Sequence, residues 1–308
     1  MTTFINTSVT APSISHDIFI FDDVSGYFVT ATVGDISHNT ITFGNGNFDS
    51  VTTEVGDISH NTIALGNGDF DLVQVFGSSS HDAIALGNGV SDGVTVGGSS
   101  RRDAIALGNG GDDFVVVGGS SRHDAISLGN GIGDSVRVFG GSSHDLIIVG
   151  NGNLDQITLN APSSGTATGG DTIITGTGNS DTVNVAAHTL ADTFGFALGT
   201  GATALSQTIV TGARVGDQVA VGNNSGLVLT NGEGLGNTLV QKGAVGGLTT
   251  VNDFITFLGV LTKGDTYTAD SAGNTFIVTD TSNGHVGGVE IAGIFEHNSI
   301  ANHQLTLG

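Results

Sequence analysis

The chain has 308 residues, with 29 acidic residues against 7 Lys and Arg, 51 glycines, and neither cysteine nor tryptophan. A net charge of −22 argues against nucleic acid or an anionic membrane as partner, since either needs Lys and Arg to meet phosphates. The lack of cysteine excludes disulfides, zinc-thiolate centres and thiol catalysis. No apolar run approaches the ~20 residues of a membrane span, so no membrane insertion is expected.

The first residues, MTTFINTSVTAPS, carry neither a basic segment nor a hydrophobic stretch, so a Sec-type signal peptide is not expected. A worn first coil, SHDIFIF, follows at 15–21. Gly-Asn-Gly then recurs from Gly44, Gly66, Gly87, Gly108, Gly129 and Gly150, one step of 22 residues and four of 21, with a degenerate Gly-Thr-Gly from Gly176. GSSSHDAIALGNGVSDGVTV (77–96) is a typical unit. Each unit holds two similar halves, a Gly/Ser/Asn turn, an Asp or Asn, and a short strand. Apolar residues alternate with period two, as in Ile84 and Leu86 or Val94 and Val96. Strands of four or five residues, parted by Gly-rich turns every 10 or 11 residues, leave no room for helical crossovers. The expected fold is therefore all-β, a parallel β-roll or β-solenoid of about 21-residue coils, with two facing sheets and coils ~4.8 Å apart.

Stacking places equivalent residues above one another. One row is Asp49, Asp71, Asp92, Asp113, Asp134, Asp155 and Asp181. The other is Asn39, Asn61, Asp82, Asp103, Asp124, Asp145 and Asp171. Carboxylates ~4.8 Å apart repel by about 0.9 kcal/mol per pair in water and about 3.5 kcal/mol at an effective dielectric of ~20. Seven Lys and Arg cannot neutralise these columns. A hard divalent cation held by carboxylates and turn carbonyls can, so all twelve aspartates are candidate Ca²⁺ ligands.

The halves resemble the calcium-binding nonapeptide G-G-x-G-x-D-x-U-x of the repeats-in-toxin (RTX) family, whose members leave bacteria by type I secretion. GNGGDDFVV (108–116) matches each fixed position with Asn in place of the second Gly. The departures are half-repeats of 10 and 11 residues rather than nine, and Ser, Arg, Val or Asn at the family's fourth Gly. The resemblance covers about residues 15–185 and implies calcium-dependent folding. ADTFGF, GDTYTADSAGNTFIVTD and GGVEIAGI resemble the C-terminal regions of RTX and type I-secreted surface-layer proteins, which implies an uncleaved C-terminal secretion signal and the type I machinery as a partner.

Three segments are expected: solenoid repeats over 1–185, a degenerate solenoid or β cap over 186–244, and a C-terminal β domain over 245–308. In the last, VNDFITFLGV, GDTYTADSAGNTFIVTD and GHVGGVEIAGI read as longer strands. A histidine row (His16, His38, His60, His81, His123, His144, interrupted by Arg102) reads more readily as stacked imidazoles than as a metal ladder. The Asn row (Asn45, Asn67, Asn88, Asn109, Asn130, Asn151) reads as turn closure. No catalytic residue is expected: Ser80, His81 and Asp82 are adjacent only because the repeat makes them so, and neighbours in a strand point to opposite faces. The outward positions Ala83, Ala85, Ala104, Ala106, Ala125 and Ser127 form a flat, small-residue face. The functional expectation is a secreted or cell-surface, calcium-stabilised structural protein, a homo-oligomer or polymer in a surface layer, matrix or filament. The alternatives are an RTX-type adhesin or enzyme accessory module that binds a glycan or surface, and an ice-binding rod.

Overall fold

The computed structural model describes residues 2–161, 168–176, 178–197, 199–200, 207–222, 238–249, 251–262, 265–280, 285–292, 295, 298–301 and 304–307. Of the degenerate solenoid or β cap expected over 186–244, residues 223–237 lie outside the described residues. The chain is a parallel β-solenoid with coils about 21 residues apart. It divides into two compact units, residues 1–147 with 158–168, and 148–157 with 169–308.

In the first unit each coil lays down three strands, not two. One sheet stacks Thr3–Ile5, Ile18–Ile20, Thr40–Thr42, Thr62–Leu65, Ala83–Leu86, Ala104–Ala106 and Ala125–Ser127 in parallel. A second stacks Val9–Ala11, Phe28–Ala31, Ser50–Thr53, Leu72–Val75, Gly93–Val96, Phe114–Val117 and Ser135–Val138. The third, seven-stranded sheet consists of two-residue strands, from Ile14–Ser15 through Ser79–Ser80 to Ser142–Ser143. Two facing sheets were expected because strands this short show no alternation to read. Ile63, Ile84, Ile105 and Ile126 stack in one register and Val73, Val94, Val115 and Val136 in another, all buried. Burying these ladders drives the stacking.

Two corners of each coil turn through the left-handed region. His16, His38, His60, His81, Arg102, His123 and His144 occupy one, with φ between 57° and 59°. Phe48, Phe70, Ser91, Asp112, Gly133 and Leu154 occupy the other, with φ from 60° to 80°. Left-handed non-glycine residues are uncommon, and here each comes directly before an Asp or Asn, which is buried in every coil after half-buried Asp17. The corner thus turns that next side chain into the core.

The glycines of Gly-Asn-Gly serve spacing more than φ. A Cβ on Gly68, Gly89 or Gly110 would run into the carbonyl oxygen of Gly46, Gly68 or Gly89 in the preceding coil. Only a residue without Cβ lets the backbones stack this closely.

In the second unit, Thr172–Thr175, Thr193–Ala197 and Gln218–Gly222 stack in parallel, and Gln304–Thr306 then pairs antiparallel with the last of them. Asn179–Val185, Gln207–Thr211 and His285–Ala292 are parallel neighbours, and Asn274–Asp280 and Asp265–Ser271 follow as an antiparallel meander. Thr238–Ala244 lies parallel to the meander's edge. VNDFITFL is a helix, Val251–Leu258, and not a strand. Its apolar residues Val251, Phe254, Ile255 and Leu258 follow helical spacing and pack with Leu248, Tyr267, Phe276 and Val278. The Asp253 carboxylate accepts bonds from Thr249 N–H at 2.9 Å and Thr249 Oγ1–H at 2.6 Å. Gly259, at φ 71°, closes the C-terminus.

Candidate functional site: two aspartate ladders

Both predicted aspartate rows lie inside the solenoid. Asp71, Asp92 and Asp113 in one and Asp82, Asp103 and Asp124 in the other are each at most 2% exposed. In each row a carboxylate Oδ1 accepts the backbone N–H of the equivalent residue one coil earlier. The distances are 2.9 Å from Asp71 N to Asp92, 2.9 Å from Asp92 N to Asp113, 2.8 Å from Asp82 N to Asp103 and 2.8 Å from Asp103 N to Asp124. The inward turn at the corner leaves that N–H without a strand partner, and the carboxylate supplies one.

The rows differ at the second oxygen. In the histidine-side row, Oδ2 of Asp82, Asp103, Asp124 and Asp145 accepts a hydroxyl from the serine three residues earlier. Ser79, Ser100, Ser121 and Ser142 donate at 3.1, 2.9, 2.8 and 2.6 Å. Where that position is Ile36 or Ile58, the ladder residue is Asn39 or Asn61. The amide of Asn61 donates to Ile36 O at 2.8 Å and that of Asn39 to Ile14 O at 3.1 Å. In both ladder types protein groups already partner the side chain, so Oδ2 of Asp82, Asp103, Asp124 and Asp145 is not left open. Asp171 is buried and donates its N–H to Asp192 Oδ1 at 3.0 Å.

In the Gly-Asn-Gly row, Oδ2 of Asp49, Asp71, Asp92, Asp113 and Asp181 is buried without a hydrogen-bond partner. Leaving a buried carboxylate oxygen unpaired is costly. Burial pushes the Asp71 and Asp113 carboxyls up to about 7, with neighbouring aspartates raising them further against one backbone hydrogen bond each. Burial likewise raises Asp92, Asp134 and Asp181 to about 6. The second glycine of each turn leaves the space beside this oxygen free of a side chain. A Cβ on Gly89, Gly110, Gly131 or Gly178 would lie 2.9, 3.2, 2.7 or 2.8 Å from Oδ2 of Asp92, Asp113, Asp134 or Asp181. The same Cβ positions face the carbonyl oxygen of the preceding coil's glycine. Carboxylate and carbonyl oxygens thus line one strip, the donor set of a hard cation. Among the described residues, no three His, Cys, Asp or Glu side chains converge on a common point. Carbonyls would have to complete the coordination of an ion here.

The flanking rows are structural. Asn45, Asn67, Asn88 and Asn109 form an exposed amide ladder, each Oδ1 accepting Nδ2–H of the next Asn at 2.7–2.9 Å. His16, His38, His60 and His81 stack with centroids 4.8–4.9 Å apart and planes within 7°. Parallel lone pairs at that separation do not meet at one metal ion. Ala83, Ala85, Ala104, Ala106 and Ala125 are exposed in register on the first sheet.

In the second unit Asp171, Asp192 and Asp217 form a ladder of the same kind, Asp192 N–H donating to Asp217 Oδ1 at 2.9 Å, and there a cation is supplied by the chain. Buried His188 places Nε2 3.0 and 3.1 Å from the two oxygens of Asp217 and 3.5 Å from Asp192 Oδ2. Its Nδ1 is 3.0 Å from Ala186 O. Both ring nitrogens therefore face acceptors, which suits the imidazolium. Burial alone would lower its pKa, but the Ala186 carbonyl, Asp217 and Asp192 together hold it above the ordinary value. Sequence reading passed over this triad because its members lie beyond the clear repeats.

Compared with protein-family models, curated proteins and solved structures, the chain matches none. No helix among the described residues is long and apolar enough to cross a membrane.

Proposed function

We propose that this protein is a non-enzymatic, calcium-stabilised structural solenoid of the RTX type. In this reading it is exported by a type I system, folds outside the cell and self-assembles into a surface layer, matrix or filament. The observation that carries the reading is the line of buried, partnerless Oδ2 atoms beside turn carbonyls in the Gly-Asn-Gly row. Asp49, Asp71, Asp92 and Asp113, with Asp134, Asp155 and Asp181 in the same row, would hold Ca²⁺. The ion would supply the positive charge that a chain with seven Lys and Arg lacks. Extracellular calcium modules bind in the ~0.1–1 mM range, so the chain would remain unfolded in the cytoplasm and fold on export. The stacked coils and the flat alanine face are the repetitive surfaces that a lattice needs.

The test is to prepare the protein in chelator, add millimolar calcium, and follow circular dichroism and bound calcium by elemental analysis, with electron microscopy of the product. Calcium-driven β structure, several bound ions and ordered sheets or filaments are expected. Identical spectra with and without chelator and no retained calcium would overturn the calcium reading. A folded, calcium-loaded monomer at all concentrations would overturn the structural one.

A further inference from the structure

The third sheet of the first unit divides its charge along its length. Residues 1–76 carry nine acids and no Lys or Arg. Over 77–147, seven of the eight acids are the buried ladder aspartates, while Arg101, Arg102, Arg122 and Arg137 are exposed. Arg137 covers the Phe139 ring at 4.5 Å. The other three gather on the third sheet. Arg101 and Arg122 are direct cross-strand neighbours, a like-charge pairing that disfavours the sheet. Arg102 Nη1 approaches His81 Nε2 at 3.5 Å. Ion pairs among the described residues involve only His188 and Arg214, so these three arginines have no carboxylate of their own unit to neutralise them. The His123 imidazole beside them is held below its ordinary pKa, by burial first and then by Arg122, His144, Arg102 and Arg101.

The same face carries exposed carboxylates at its other end. Asp35 and Asp57 directly precede the strands Ile36–Ser37 and Ile58–Ser59. They are linked to each other and to the next coil by Asp57 N–H to Asp35 Oδ1 at 2.9 Å and Ser78 N–H to Asp57 Oδ1 at 2.6 Å. In the seven-strand order the middle strand is Ser79–Ser80. The coils of Asp57 and Arg101 lie one step to either side of it, and those of Asp35 and Arg122 lie two steps away. The face is therefore self-complementary. Serines fill its centre and keep it flat: Ser15, Ser37, Ser59, Ser80 and Ser143 are the other members of the column that holds Arg101 and Arg122.

We infer that this sheet is a docking surface for a second copy of the chain, packed face to face in reverse coil order about a two-fold axis along Ser79–Ser80. The axis sets Arg101 against the coil of Asp57 and Arg122 against that of Asp35, and repeats both pairings by symmetry. The contact is seven strands long at ~4.8 Å each and only a few residues wide, below the ~800 Å² per partner of a stable dimer. It is therefore weak and salt-sensitive. The inference deepens the self-assembly reading and rests on it, but not on the calcium assignment.

Sedimentation equilibrium on the calcium-treated full chain tests it, at roughly 20 mM and 500 mM salt, with circular dichroism to verify folding of every variant. The wild type is expected to dimerise at low salt and dissociate at high salt. R101E/R122E turns the arginine column acidic, leaving Arg102 alone, and D35K/D57K turns the carboxylate end basic, so neither variant alone should dimerise. An equimolar mixture of the two should recover association at least as strong as wild type. A monomeric wild type at millimolar concentration and low salt overturns the inference, as does unaltered self-association of both variants, or a mixture that stays monomeric. Calcium binding measured on the same samples separates this outcome from failure of the calcium reading.

Discussion

Ser121 Oγ donates to Asp124 Oδ2 at 2.8 Å across three residues of one coil. This bond, repeated at Ser79, Ser100 and Ser142, is what closes one aspartate ladder while the other stays open. Ser121→Ala should cost about 1–3 kcal/mol, the penalty for leaving a buried carboxylate oxygen unpaired. The pair S121I/D124N reproduces the Ile36–Asn39 and Ile58–Asn61 arrangement and should recover most of that loss. Melting both variants in calcium checks the coupling, and additive losses would count against it.

Asp113→Asn should change sign with the medium. In chelator it removes a buried carboxylate while keeping the acceptor for Asp92 N–H, and should stabilise by about 1–3 kcal/mol. In millimolar calcium it removes a ligand and should destabilise by a comparable amount. Melting midpoints in the two buffers decide the matter. The same direction in both would argue against ion binding at this row.

The pH dependence follows from the raised carboxyls. Burial raises Asp71 and Asp113 to about 7, and Asp92 and Asp134 to about 6, from an ordinary value of 3.8. A folded value above the unfolded one gives stability that is complete below about 3.8 and lost as pH rises through 6 to 7. In chelator, the melting midpoint should therefore fall between pH 5 and pH 8. In calcium the fall should vanish, because the ion binds the deprotonated form and releases the protons. Calorimetry across this range in both buffers tests the sign.

Gly110→Ala should destabilise by more than about 3 kcal/mol, or prevent folding, because its Cβ meets the Gly89 carbonyl. Gly246→Ala, with open space around it, should stay within about 0.5 kcal/mol of wild type. Chemical denaturation of the two compares backbone proximity with ordinary glycine flexibility.

His188→Gln leaves the buried carboxylates of Asp192 and Asp217 without their cation and should cost about 3–5 kcal/mol. The wild-type contribution is complete below the ordinary value of 6.5 and is lost as pH rises through the higher folded value. The gap in stability between wild type and variant should therefore narrow toward alkaline pH, which parallel melts would register.

The period of the coils, the inward Ile, Leu and Val columns and both aspartate rows are legible in the amino-acid order. A solenoid repeats one environment at a fixed interval, so a residue's position in the unit already determines what lies above and below it. The helix Val251–Leu258 was misread because eight apolar-rich residues fit either period, and its spacing of 251, 254, 255 and 258 decides only when Phe276 and Val278 are there to receive that face. The third sheet was invisible because two residues cannot show alternation.

The repeat by itself thus determined the class of fold and which carboxylates would crowd together, since one-dimensional stacking converts sequence period directly into proximity. Only the tertiary structure sorted the carboxylates. The corner geometry turns both rows inward, and a serine three residues back meets Oδ2 in one row. In the other, a glycine and a preceding coil's carbonyl lie there instead. The pairing of Ser with Asp and of Ile with Asn three residues apart stands in the sequence, but that the hydroxyl reaches Oδ2 depends on where a side-chain oxygen sits in three dimensions.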